Sequence, residues 1–171
     1  MPTTNKRKPI SAEAALARAA ALCSRSEQAE SDVRTKILGW GVTPDDCDKI
    51  LARLKSENFL SEERYARAYA RDKFAFNGWG RQKIAFMLKA KGVSKPVIEA
   101  AIGGIAEADY HATLIKLLNA KARAVAGREP QQARAALLRL AASRGFEPSV
   151  FYPAVSQVLG DNADDYDQPP Y

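Results

Sequence analysis

Ile84-Ala85-Phe86-Met87-Leu88-Lys89-Ala90-Lys91-Gly92-Val93 decides the fold, because its pattern occurs three times at nearly constant spacing. The other copies are Val33-Arg34-Thr35-Lys36-Ile37-Leu38-Gly39-Trp40-Gly41-Val42 and Leu137-Leu138-Arg139-Leu140-Ala141-Ala142-Ser143-Arg144-Gly145-Phe146, with the closing glycines 51 and 53 residues apart. Such a period marks a repeated supersecondary unit. Each copy reads as a helix, a glycine turn, an apolar residue and a second helix. A glycine just past a helix accepts the left-handed conformation that ends it, with no Cβ to clash. Aligned on these glycines, Val33, Ile84 and Leu137 coincide, as do Val42, Val93 and Phe146, then Cys47, Ile98 and Phe151, then Leu51, Ile102 and Val155.

The residues after each turn start the next helix. Thr43 and Ser94 are good N-caps, and Glu147 stands in their place in the third copy. Pro44 and Pro148 suit a first helical turn, where a missing N–H costs little. A longer helix precedes each pair, over about 11–23, 61–76 and 107–125. The middle one opens Ser61-Glu62-Glu63-Arg64, a capping serine with acids at the positive helix end. It carries Tyr65, Tyr69 and Phe76 near helical spacing. No run alternates apolar and polar residues between turn signals as a strand would. The fold expected is all-α: three tandem three-helix, helix-turn-helix-like repeat units in an elongated, curved arrangement. Their bounds are 11–60, 61–106 and 107–160, after a basic N-terminal arm at 1–10 and before an acidic C-terminal tail at 161–171. From Leu159 on, the composition reads as disordered. In the third unit, Ala141 and Ala142 weaken the apolar face. Trp40 and Trp79 each flank a glycine turn; packing between units is the role expected of such large aromatics, with contact to a partner the alternative.

The net charge of +6 over 171 residues conceals segregation. Residues 64–95 hold nine basic side chains against Asp72, and residues 116–144 hold seven against Glu129. Residues 1–63 balance, and the stretches 96–115 and 145–171 are acidic. Blocks of one sign steer an oppositely charged partner; solvated helix faces are the plain alternative.

Catalytic signatures are missing. His111 is the only histidine and has no cysteine at ligand spacing and no nucleophile elbow. The sequence holds neither a phosphate-binding glycine loop nor a paired-cysteine zinc signature. Asp45, Asp46 and Asp48 lack the glycine and distal glutamate of a calcium loop, and helix-dipole stabilisation accounts for them. Cys23 and Cys47 fall in helical patterns and read as thiols in a reducing cytoplasm. No apolar run reaches the roughly 18 residues of a membrane span, and Lys6-Arg7-Lys8 leads into no signal-like apolar segment. The expectation is a cytoplasmic protein that is not an enzyme and needs no metal or cofactor.

The stretch Asn58-Phe59-Leu60-Ser61-Glu62-Glu63-Arg64-Tyr65-Ala66, then Gly80-Arg81-Gln82-Lys83-Ile84, then Leu88-Lys89-Ala90-Lys91-Gly92-Val93, resembles the RecX family. Its pattern there is an acidic pair, Arg-Phe/Tyr-Ala, a glycine followed by a basic residue, and Leu-x-x-x-Gly-Ile/Val. The resemblance spans roughly residues 12–159. Ser61 stands where many members have aspartate, and the third unit matches least. The resemblance implies a monomer that lies along a RecA–DNA filament. There it limits filament growth, ATP hydrolysis, strand exchange and RecA-assisted repressor cleavage in recombinational repair and the SOS response. The binding residues expected are Arg64, Arg67 and Arg71, one stripe of a helix, with Lys73, Arg81, Lys83, Lys89 and Lys91. For Arg64 the competing reading is an ion pair with Glu62 or Glu63. Helix 80–91 offers only Gln82 for bidentate base reading, so phosphate contact with single- or double-stranded DNA, blind to sequence, suits it better. An independent nucleic-acid binder and a protein-binding helical-repeat scaffold are the rival readings.

Overall fold

The computed structural model describes residues 8–160; most of the basic arm and all of the acidic tail expected from the sequence lie outside them. The described residues form nine helices and no strand: α1 (Ala12–Arg25), α2 (Glu30–Gly39), α3 (Pro44–Ser56), α4 (Glu62–Asn77), α5 (Arg81–Ala90), α6 (Lys95–Gly103), α7 (Glu107–Ala124), α8 (Pro130–Arg144) and α9 (Pro148–Leu159). They come as three successive sets of three, each a longer helix followed by a pair joined through a glycine turn. Gly41, Gly92 and Gly145 have φ of +86°, +83° and +86°, the conformation the repeat requires of them.

The start signals act as read. The Ser11 and Thr43 hydroxyls accept from the amides of Ala14 and Asp46. The Ser61 hydroxyl accepts from the Arg64 amide. Ser94 differs: its amide and hydroxyl both donate to the Glu62 carboxylate, which ties the start of α6 to the start of α4. Leu159 closes α9 and Gly160 caps it in the left-handed region, so the helix ends at the residue from which composition predicts disorder.

Packing divides the chain into two compact units, with the division falling within α4, α5 and α6. The first takes residues up to Ala68 together with Leu88–Ile98. In it α1 and α2 pack on α3, and Ala15, Ala19, Val33, Ile37, Cys47, Leu51 and Leu54 form a core almost wholly withdrawn from solvent. The small residues of α1 let its backbone approach α3 closely. Trp40 is half-buried against this core, with the Arg18 guanidinium 4.7 Å from its ring centroid.

The second unit takes Tyr69–Met87 and residues from Glu99 onward. Helix α9 packs between α7 and α8 over Tyr110, Leu114, Leu118, Leu137, Phe146 and Val155, all essentially inaccessible. Only Ala141 of the two weak alanines faces this core; Ala142 points to solvent, so the third apolar face is less compromised than its sequence suggests. Two turns interlock here. The Gly80 amide donates to the Arg144 carbonyl at 2.7 Å, and the Gln82 amide donates to the Gly145 carbonyl at 3.0 Å. A Cβ on Gly80 would lie 2.4 Å from the Gly145 carbonyl, so only glycine permits the approach.

Candidate functional site

The expected binding residues divide by what holds their charged ends. Arg64, on α4, is held within the first unit: Nε donates to Glu27 at 2.8 Å, and the two terminal nitrogens donate to the Asn58 side chain and carbonyl at 3.0 and 2.9 Å. Its acidic partner is thus Glu27, rather than the neighbouring Glu62 or Glu63. Asn58 presents both acceptors from a left-handed backbone, φ +67°, which asparagine tolerates better than most side chains. Lys91 is likewise committed, to Asp32 at 2.9 Å.

Arg81 is the most enclosed of the set, its side chain 15% exposed. Its guanidinium reaches the Ile105 carbonyl at 3.0 Å and Glu107 at 2.7 Å, and lies 4.1 Å from the Tyr110 ring centroid. The Arg81 amide donates to the Tyr110 hydroxyl, which itself donates to Glu147. Burial and the bond to Glu147 push the Tyr110 hydroxyl pKa well above its ordinary value. One arginine therefore joins the start of α5, the turn before α7 and the turn before α9. The Gly-Arg pair that supplied the resemblance contributes here to packing.

The remaining cations face outward. Arg67 and Lys89 are exposed and have no partner among the described residues. Arg71 is exposed and pairs only with its neighbour Asp72, at 3.0 Å. Such a pair, open to water, is worth little and yields readily to another anion. Lys73 and Lys83 are half-buried and sit beside Trp79. Their ammonium groups stand 4.9 and 4.5 Å from its ring centroid, from α4 and α5 respectively. Lys83 also donates to the Ser143 carbonyl at 3.4 Å. Trp79 therefore does more than fill space: it gathers two positive charges from two helices, since the indole face attracts cations.

Sequence reasoning missed the aromatics beside these charges. Phe76 is 84% exposed and Phe86 71% exposed. Phe76 had been grouped with Tyr65 and Tyr69 by helical spacing, yet it projects from the last turn of α4, beyond the packed surface. The available signal was its spacing: each phenylalanine follows a lysine by three residues, Lys73 and Lys83. Among the described residues no group of three or more His, Cys, Asp or Glu could hold a metal, and no helix is long and apolar enough to cross a membrane. His111 is exposed on α7.

Comparison with known proteins meets this geometry at its centre. Regulatory protein RecX of Chromohalobacter salexigens is 33% identical over 126 residues, which are 74% of this chain and 80% of that protein. The chain belongs to the RecX family. The family model described as RecX, second three-helix domain, matches residues 61–102, which contain every one of the expected binding residues. Regulatory protein RecX of Clostridium perfringens is 27% identical over 125 residues, 72% of this chain and 58% of that longer protein. The crystal structure of RecX from Lactobacillus salivarius superposes with a TM-score of 0.79 at 15% identity, covering 86% of this chain and 96% of that one. The helical architecture is thus that of the family, with relatives named as regulatory proteins.

Proposed function

We propose that this chain is a non-enzymatic regulator that binds the RecA–DNA filament and limits filament extension, ATP hydrolysis, strand exchange and repressor cleavage. Family membership supports the regulatory role. The observation that carries the DNA contact is the set of weakly held cations on α4 and α5, within the stretch matched by the family's second-domain model: Arg71, Lys73 and Lys83 in the second unit, and Arg67 and Lys89 in the first. Among the described residues Arg67 and Lys89 have no partner, and the others are held by an adjacent acid, an aromatic face or a carbonyl. Arg64 and Lys91 in the first unit, and Arg81 in the second, are instead committed to partners within their own units. Phosphate contact from such groups is electrostatic and indifferent to sequence. The working location is the cytoplasm and the working form a monomer.

The test is RecA ATP hydrolysis on single-stranded DNA, with this protein added below the RecA concentration across a salt series. The parent slows hydrolysis. A variant with Arg67, Arg71, Lys83 and Lys89 all changed to glutamine inhibits less at every salt concentration. Its direct binding to single-stranded DNA loses about three units of log–log salt slope, at roughly 0.7 per phosphate. Unchanged inhibition by the variant would assign these cations to solvent, and DNA binding without any effect on RecA would make the protein an independent nucleic-acid binder.

A further inference from the structure

Two large aromatic side chains stand almost fully in water, each one helical step from a lysine that shares a tryptophan with the other. Lys73 and Lys83 meet over Trp79, from α4 and α5. Residues three apart on a helix are neighbours on its surface. Phe76 therefore lies beside Lys73 on α4, and Phe86 beside Lys83 on α5. Neither phenylalanine takes part in the packing of the unit, being 84% and 71% exposed. Scattered exposed apolar residues are ordinary on a protein surface. This pair differs in its setting, since the segment Tyr69–Met87 has four basic side chains against one acid. Exposed apolar groups rimmed by polar residues mark interaction sites, and here the rim is positive. Aromatic faces alternating with cations match a ligand that alternates flat π-systems with negative charges.

We propose that Phe76 and Phe86 are base-stacking platforms and that this face of α4 and α5 takes single-stranded nucleic acid, with Lys73 and Lys83 on the phosphates between stacked bases. The proposal rests on the DNA-contacting reading above and adds to it a contact that a duplex denies. In a duplex both faces of each base are covered by neighbouring bases, whereas a single strand can lay an open base on a protein ring. Trp79, already covered by the two ammonium groups, serves to hold the lysines rather than to stack. Every base has a π-face, so the contact is indifferent to sequence, in keeping with the single glutamine on α5.

The test measures binding of the full chain by fluorescence anisotropy to three probes of equal phosphate count. These are an oligothymidylate, the same backbone with abasic sites throughout, and a duplex. Each stacked base contributes about 1–3 kcal/mol by alanine substitution, at tenfold per 1.4 kcal/mol. The parent is therefore expected to prefer the oligothymidylate over the abasic strand by at least about 25-fold for two bases. The double variant Phe76→Ala, Phe86→Ala loses that preference and keeps the abasic affinity and the salt slope. Phe76→Leu, Phe86→Leu, which preserves apolar surface without a flat ring, loses most of it too. Because both side chains are exposed, circular dichroism should show all variants folded. Equal parent affinity for the base-bearing and abasic strands overturns the stacking proposal while leaving phosphate binding intact. Retained RecA inhibition in the leucine variant with loss in the alanine variant, and no change in oligothymidylate binding, also overturns it by making the patch a protein-docking surface. No binding to any probe would instead remove the DNA contact on which both readings stand.

Discussion

Changing Gly80 to alanine tests the interlocked turns by adding a single methyl group. The added Cβ would sit 2.4 Å from the Gly145 carbonyl carbon and oxygen and 2.5 Å from the Phe146 amide nitrogen. Non-bonded heavy atoms settle at roughly 3.5 Å, so the start of α5 must withdraw from the α8–α9 turn by about 1 Å. Backbone atoms on the far side cannot swing away as a side-chain tip would. The bonds from Gly80 to Arg144 at 2.7 Å and from Gln82 to Gly145 at 3.0 Å then stretch beyond the usual limit of about 3.2 Å. Each costs about 1 kcal/mol net, and up to about 3 where a group stays buried and unpaired. The expected destabilisation is about 2–5 kcal/mol. Two other glycines calibrate it. Gly39 meets nothing within 4 Å and ends a helix without positive φ, so Gly39→Ala should stabilise slightly, by about 0.5–1 kcal/mol at most. Gly92 also meets nothing but has φ +83°, so Gly92→Ala isolates the backbone penalty of about 1–2 kcal/mol. Urea titration followed by far-ultraviolet circular dichroism orders the three. A Gly80→Ala midpoint matching the parent, or a smaller loss than Gly92→Ala, would refute the steric reasoning.

Tyr110→Phe keeps the ring against Phe74, Phe146 and the Arg81 guanidinium but removes the hydroxyl between the Arg81 amide and Glu147; urea unfolding should show a loss of about 1–3 kcal/mol. The same hydroxyl predicts a pH dependence. Its folded pKa is raised, so above the unfolded value near pH 10 the unfolded chain loses a proton that the fold retains. Stability should then fall with rising pH by up to about 1.4 kcal/mol per unit, and the excess over Tyr110→Phe, measured from pH 8 to 11, is the check; parallel curves would refute it. Thr43→Ala should cost about 1 kcal/mol in thermal or urea unfolding through loss of the α3 cap. Arg64→Gln should cost about 1 kcal/mol as well, and a double-mutant cycle with Glu27→Gln should show coupling between the two.

The helices were legible because their signals are local. Ser11, Thr43 and Ser61 cap, Pro44 and Pro148 begin, and Gly41, Gly92 and Gly145 end helices within a residue or two of where the pattern put them. The charged residues were legible only as a set. Composition places Arg64, Arg81 and Lys91 in the basic block with Arg67 and Lys89, but their partners Glu27, Glu107 and Asp32 come from 26 to 59 positions away. No pattern within one helix could reveal such ties. The Gly80–Gly145 contact was hidden for the same reason, since the two residues are far apart in the chain and nothing beside Gly80 names the backbone it approaches. Exposure of Phe76 and Phe86 depends on where neighbouring helices stop, and helical spacing alone does not say that.

The placement of Lys73 and Lys83 on Trp79 has an entropic consequence. A free lysine side chain carries roughly 2 kcal/mol of rotamer entropy, part of which is forfeited when an exposed lysine grips a phosphate. Here both ammonium groups already rest against the indole before any anion arrives. A phosphate therefore finds two ammonium groups with fewer conformations left to lose, and the ordering that an exposed lysine would undergo on binding has been transferred to the folding of the protein.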